Sequence, residues 1–195
     1  AMVFVDDSHA SGFMGRHGRG TYEHCGVLGR IDIITTTLGK GLGGASGGCV
    51  SGRKEIVELC RQRARPYLFS NAVPPPIAYA ALKVLEILSA TTERRDKLER
   101  NQRFWRQALP EAGFIIKEGA SPIVPVMLFN AKLSQGIARD LYQEGIYVIG
   151  FFFPVVPAGQ ARIRTQMSAD HDIPMLQDAV ECFKRVGAKY GILGL

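Results

Sequence analysis

Residues 37–48 read TLGKGLGGASGG, and the fold of the rest of the chain follows from how this stretch is read. Glycine at 39, 41, 43, 44, 47 and 48 is too dense for a helix or a strand, because each glycine adds backbone freedom that a regular element must remove. The stretch is therefore a loop. Ile31–Thr36 (IDIITT), just before it, is β-branched and strand-like, and Gly48–Ser51 after it suits a further strand. Lys40 thus sits in a loop leaving a strand, flanked by glycines that let a bulky partner approach the backbone closely and preceded by the hydroxyls of Thr35, Thr36 and Thr37. Taken alone, such a lysine is a solvated surface residue. Its distinctive chemistry is a Schiff base with an aldehyde, with the threonines able to hydrogen-bond phosphate oxygens. A P-loop is excluded, because Gly41 stands where the GxxxxGK[ST] pattern needs Ser or Thr.

Upstream, VDDSHASGFMGRHGRG occupies residues 5–20. Met2–Val5 is a short apolar run ending in two aspartates, which predicts a buried strand stopping at a polar edge. In an open α/β sheet that edge is where ligands bind, and it carries Asp6, Asp7 and His9. A carboxylate there can hold the nitrogen of a pyridine cofactor protonated, so that the ring accepts electrons. Singly, Asp6 reads as a turn cap and His9 as a satisfied loop residue. Their appearance before the Lys40 loop raises the cofactor reading. His17 and His24 have no visible partners in the sequence, and His171 reads as a structural cap.

Downstream, Arg53–Arg65 has apolar residues at Ile56, Val57 and Cys60, a helical spacing. Pro74–Pro76 opens a second helix, IAYAALKVLEILS, apolar nearly all round and so predicted to be buried. A charged helix is expected over residues 93–108, with Phe104 and Trp105 packing inward. Strands are expected at Ile123–Leu128, Tyr147–Ile149 and Ala161–Gln166, and helices at Leu133–Glu144 and Ile173–Tyr190, the latter capped by Asp172. The pattern is α/β for residues 1–90 and a compact α+β domain for residues 91–195.

The composition is 46% hydrophobic and 22% charged, ordinary for a globular protein. No apolar run is long enough for a membrane span, and the N-terminal residues are not expected to form a signal peptide. The net charge of +6 comes from basic residues mixed with acids, as in RKEIVELCRQRAR and ERRDKLERNQRFWR, which are solvated helix faces rather than a nucleic-acid surface. Cys25, Cys49, Cys60 and Cys182 lack zinc-binding spacing and are expected to be small hydrophobes in or near the core. They point to a reducing setting, hence to an intracellular protein, cytoplasmic or in an organelle matrix.

VDDSHASGFMGRHGRG followed by TLGKGLGGASGG resembles the α-oxoamine synthase family of fold-type I pyridoxal 5′-phosphate (PLP) enzymes, and PYLFSN (66–71), GFFFPVVP (150–157) and ARIRTQMSADH (161–171) fit the same family. The resemblance covers the whole chain and corresponds to the C-terminal half of the family's length. It implies part of a PLP-binding large domain followed by a small α+β domain. It also implies PLP held covalently by Lys40, with Asp6 on the pyridine nitrogen and His9 on the ring oxygen O3′. Thr37 would hold the cofactor phosphate, Phe69 and Ser70 would reach the phosphate of a neighbouring subunit in a homodimer with shared sites, and Arg164 would pair with the substrate carboxylate. That last role agrees with strand geometry, in which Arg162, Arg164 and Gln166 share one face. The expected reaction is condensation of glycine with acetyl-CoA to 2-amino-3-oxobutanoate and CoA. A longer acyl-CoA donor is the nearest alternative, and a non-catalytic partner subunit is another, although Lys40 argues against the latter. The 195 residues alone are expected to be poorly stable and inactive.

Overall fold

The computed structural model describes residues 1–194 as two compact units, Ala1–Arg95 and Asp96–Leu195. In the first unit, β1 (Phe4–Asp6) pairs in parallel with β2 (Ile33–Thr37), which pairs antiparallel with β3 (Gly48–Gly52). The register sets Asp6 opposite Thr35 and Thr37 opposite Gly48. Between β1 and β2 the chain makes the glycine loop and a single helical turn, α1 (Thr21–His24).

The helix expected over Arg53–Arg65 is α2 (Lys54–Arg63), and a short further helix, α3 (Arg65–Leu68), follows it. Ala64 between them is extended, and Pro66 lies at the start of α3, where its missing N–H costs no hydrogen bond. In α4 (Pro75–Ala90), Ile77, Ala81, Val84 and Leu88 form a stripe against Leu38 and Leu42. The expectation that this helix is buried all round is corrected. Tyr79 is 75% exposed and Leu82 62%, because one stripe is all that the loop of Leu38 and Leu42 covers. The strand expected to be buried at Met2–Val5 is likewise exposed at Met2 and Phe4. Apolar composition sets what a segment can bury, and only its neighbours decide whether it does.

The second unit has the more complete core. β4 (Ile123–Met127) and β5 (Ile149–Phe151) flank β6 (Arg162–Gln166), antiparallel on both sides. The strand expected at Tyr147–Ile149 thus starts later, where pairing with Arg162 and Arg164 begins. Val124, Val126, Ile163 and Thr165 alternate inward, as period-two patterning requires. They meet α5 (Glu93–Glu111), α6 (Ala131–Gln143) and α7 (Ile173–Lys189) around Trp105, Leu109, Ile137, Leu141 and Phe183. The Phe183 ring meets those of Trp105 and Phe114 edge-on, at 5.5 and 5.7 Å between centroids. Trp105 Nε1 donates to Thr165 Oγ1 at 2.8 Å, and that hydroxyl donates to the Val124 carbonyl at 2.7 Å, so the indole N–H and the buried hydroxyl are both paired.

Both later helices are capped by side chains. Asn130 Oδ1 accepts from the N–H groups of Lys132 and Leu133, and Asp172 Oδ1 accepts from Met175 N–H at 2.9 Å. Asp172→Ala is expected to cost about 1 kcal/mol in denaturant unfolding. Cys182 is buried, but Cys25 and Cys49 are exposed, a correction to the expectation for all four; α1 ends before Cys25, and Cys49 lies in β3, whose residues are all exposed. No helix among the described residues is long and apolar enough to cross a membrane.

Candidate active site

The parallel pairing of β1 and β2 brings their C-terminal ends to one edge of the sheet. Asp6 ends β1, and Asp7 N–H continues the ladder to the Thr35 carbonyl at 2.8 Å. His9 follows in a turn in which the Asp7 carbonyl accepts from Ala10 and Ser11 N–H. Thr37 ends β2, and Lys40 lies three residues on.

The Lys40 loop is tight. Leu38 N–H donates to the Gly47 carbonyl, Gly44 N–H to the Leu38 carbonyl and Gly43 N–H to the Lys40 carbonyl, while buried Leu38 and Leu42 pin the loop to α4. Lys40 is left exposed at its tip. The glycines do more than admit a ligand. A Cβ on Gly44 would lie 2.5 Å from the Leu38 carbonyl oxygen, and one on Gly41 would lie 2.8 Å from the Phe13 ring. These two are demanded by packing; at Gly43, with φ +72°, the space around an added Cβ is open.

Asp6 is exposed, and its Oδ1 accepts from Ser8 Oγ at 2.6 Å and from Ser8 N–H at 3.0 Å. The Ser8 hydroxyl, then the Ser8 N–H, hold its carboxyl below the usual carboxylate range against a cost of desolvation, with lesser attraction from Lys40 and His9. Asp6, His9 and Lys40 therefore share one electrostatic neighbourhood. An ionised acid and an exposed amine on the same sheet edge suit a ring carrying a protonated nitrogen and an aldehyde, with an imidazole close by. Thr37 Oγ1 is engaged within the loop, donating to the Gly47 carbonyl and accepting from Gly39 N–H, both at 3.1 Å, while the buried Thr36 Oγ1 has no hydrogen-bond partner among the described residues.

Phe69 and Ser70 are exposed after α3, with the Arg65 guanidinium 5.3 Å from the Phe69 ring centroid. Arg164 belongs to the second unit, exposed on β6 with its guanidinium 4.5 Å from the Phe151 ring centroid. Arg162 instead donates from Nε to the Gln160 carbonyl. His171 is structural: its Nδ1 accepts from Ser168 N–H and its carbonyl from Asn101.

Two carboxylates have contacts that the sequence alone does not show. Asp7 is 1% exposed. Glu23 pairs with His17 Nδ1 at 2.7 Å, which corrects the view of His17 as partnerless, and accepts from the N–H groups of His17 and Arg19. Burial pushes the Glu23 carboxyl up, but these hydrogen bonds, led by the one from the His17 ring, bring it below its ordinary value. The doubled aspartate was the one signal of a second role; Glu23 had none, since its contacts depend on the path of the glycine loop.

A family model for aminotransferase class I and II matches residues 1–183. The 2-amino-3-ketobutyrate coenzyme A ligase of Escherichia coli (strain K12) is 56% identical over 193 residues, 99% of this chain and 48% of that protein. The 8-amino-7-oxononanoate synthase of Thermosipho melanesiensis is 42% identical over 193 residues, 99% of this chain and 49% of that one. Among solved structures, a serine palmitoyltransferase from S. paucimobilis with a bound PLP–myriocin aldimine superimposes with a TM-score of 0.93 at 32% identity, covering 99% of this chain and 49% of that one. The chain spans about half the length of the curated relatives it matches.

Proposed function

Because the chain belongs to the aminotransferase class I and II family, we propose that it carries the lysine-bearing part of a PLP-dependent acyltransferase that condenses glycine with acetyl-CoA to 2-amino-3-oxobutanoate and CoA. The observation that carries this reading is the shared neighbourhood of Asp6, His9 and Lys40 at the carboxyl edge of the parallel strands.

PLP, when bound, supplies an electrophilic aldehyde and a ring that withdraws electrons from a carbon bearing an amine. Asp6, kept ionised by Ser8, would hold the ring nitrogen in its protonated form. His9 would donate to O3′ and, as charge develops on the thioester oxygen, to that oxygen. Lys40 would hold the aldehyde and later take the α-proton of glycine. Its place at a loop tip, anchored by Leu38 and Leu42, lets the amine move while its backbone stays fixed. Thr37 would turn its hydroxyl from the Gly47 carbonyl toward the phosphate. Phe69, 76% exposed, and Ser70 would meet the phosphate at the site of a second copy, making the working unit a homodimer.

Arg164 would clamp the glycine carboxylate. A planar guanidinium stacked on Phe151 keeps its fork oriented, which a lysine could not reproduce. Arg164→Lys in the complete polypeptide is expected to raise the KM for glycine about tenfold or more, with a smaller change in kcat, read from initial rates. Likeness to the oxononanoate synthase supports a second reading, a longer acyl donor on the same chemistry. Comparing kcat/KM for acetyl-, succinyl- and pimeloyl-CoA decides between them: acetyl-CoA is expected to be best, and a preference for either longer donor overturns the acetyl assignment.

A further inference from the structure

Asp6 is the exposed member of the aspartate pair, and its neighbour is buried for a different purpose. Asp7 Oδ2 accepts from Ser11 Oγ at 2.8 Å, and Oδ1 accepts from Thr21 N–H at 3.0 Å. Its main chain is fixed as well, the N–H by Thr35 of β2 and the carbonyl by Ala10 and Ser11. Gly20 packs so closely against this carboxylate that an added Cβ would overlap Oδ2, and at φ +116° a side chain is strained there in any case. One buried carboxylate therefore ties together the end of β1, the turn of residues 8–11 and the far end of the glycine loop. A buried polar group of this kind persists only where its hydrogen bonds are satisfied.

The turn that Asp7 closes contains Ser8 and His9. Ser8 is the residue whose N–H and hydroxyl both reach Asp6 Oδ1. The order of dependence runs from Asp7 to the turn, from the turn to Ser8, and from Ser8 to the Asp6 carboxylate. We propose that Asp7 is a positioning residue: it touches no ligand, and through the turn of residues 7–11 and Ser8 it fixes the direction of the Asp6 carboxylate and the place of His9. The inference rests on the PLP reading given above.

The test is binding of PLP to the complete polypeptide, followed by fluorescence titration, with thermal melting recorded on each variant. Asp7→Ala removes both side-chain ties and is expected to weaken PLP binding about tenfold to a hundredfold, the range found when groups that orient ligating residues are lost. Asp7→Asn keeps the shape. Its amide oxygen can accept from Thr21 N–H, and its amide nitrogen can donate to a rotated Ser11 hydroxyl. It is expected to restore affinity to within about threefold of the parent, by the same reasoning on satisfied ties. Affinity in Asp7→Ala equal to the parent, or Asp7→Asn as weak as Asp7→Ala, overturns the proposal. Should Asp7→Ala not fold, Ser8→Ala answers the same question, since it deletes one bond at a half-exposed turn. It is expected to weaken binding about fivefold to tenfold without a change in melting temperature, and unchanged affinity overturns the proposal. Borohydride reduction of the parent with PLP, followed by peptide mapping, separates the two claims. If Lys40 is not modified, the PLP reading itself fails; if Lys40 is modified while Asp7→Ala binds as the parent does, the positioning role alone fails.

Discussion

Lys40→Ala in the complete polypeptide is expected to lower kcat by about three orders of magnitude or more while leaving the fold in place. A positioned acid–base group contributes about 10²–10⁴ on its own, and the loss of a covalent anchor adds to it. The side chain is exposed, whereas the loop is anchored by Leu38 and Leu42 and by the hydrogen bonds of Leu38, Gly43 and Gly44, none of which involves the amine. Thermal melting should therefore hardly move. Lys40→Arg keeps a positive charge near Asp6 but cannot form a Schiff base, so it should be as inactive as the alanine variant if covalent chemistry is the role. Should the arginine variant retain a tenth of the parent rate, Lys40 would be acting only as a cation, and the PLP reading would lose its central residue. Single-turnover and steady-state rates with glycine and acetyl-CoA make the measurement, with covalent capture by borohydride as the control that needs no turnover.

The Lys40 loop and the strand end at Asp6 were legible in the sequence because glycine density and a charged stop after an apolar run are local signals. Alternation in Val124–Val126 and Ile163–Thr165 was likewise local, and the second sheet keeps the face assignment that places Arg164 outward. What escaped was set by partners distant in sequence. Helix α4 is apolar nearly all round, so its composition could not reveal which stripe, that of Ile77, Ala81, Val84 and Leu88, is covered. The roles of Asp7 and Glu23 depend on contacts to Thr21 and to His17 across turns whose path glycines permit but do not announce. Packing also claims glycines that read as ligand clearance: Gly41 and Gly44 stand where Phe13 and the Leu38 carbonyl leave no room for a Cβ.

Asp6→Ala is the second large expected effect, a fall in kcat/KM of about two to four orders of magnitude, because an uncompensated ring nitrogen no longer draws electrons from the reacting carbon. Asp6→Asn should be nearly as damaging: the amide keeps the shape but loses the charge that holds the nitrogen protonated. The same reasoning fixes a pH dependence. The Ser8 hydroxyl, the Ser8 N–H, Lys40 and His9 lower the folded-state value of the Asp6 carboxyl, so the ionised form persists as the medium is acidified and is lost only when pH falls through that lowered value. Ser8→Ala removes the first of these influences, which moves the carboxyl back toward its ordinary range. The acid limb of PLP binding should therefore shift to higher pH in Ser8→Ala, in addition to the weaker binding expected of that variant at neutral pH, and should vanish in Asp6→Asn, where no carboxyl remains at position 6 to titrate. An acid limb that stays in place in both variants would mean that another group controls it, and that Asp6 does not face the ring nitrogen.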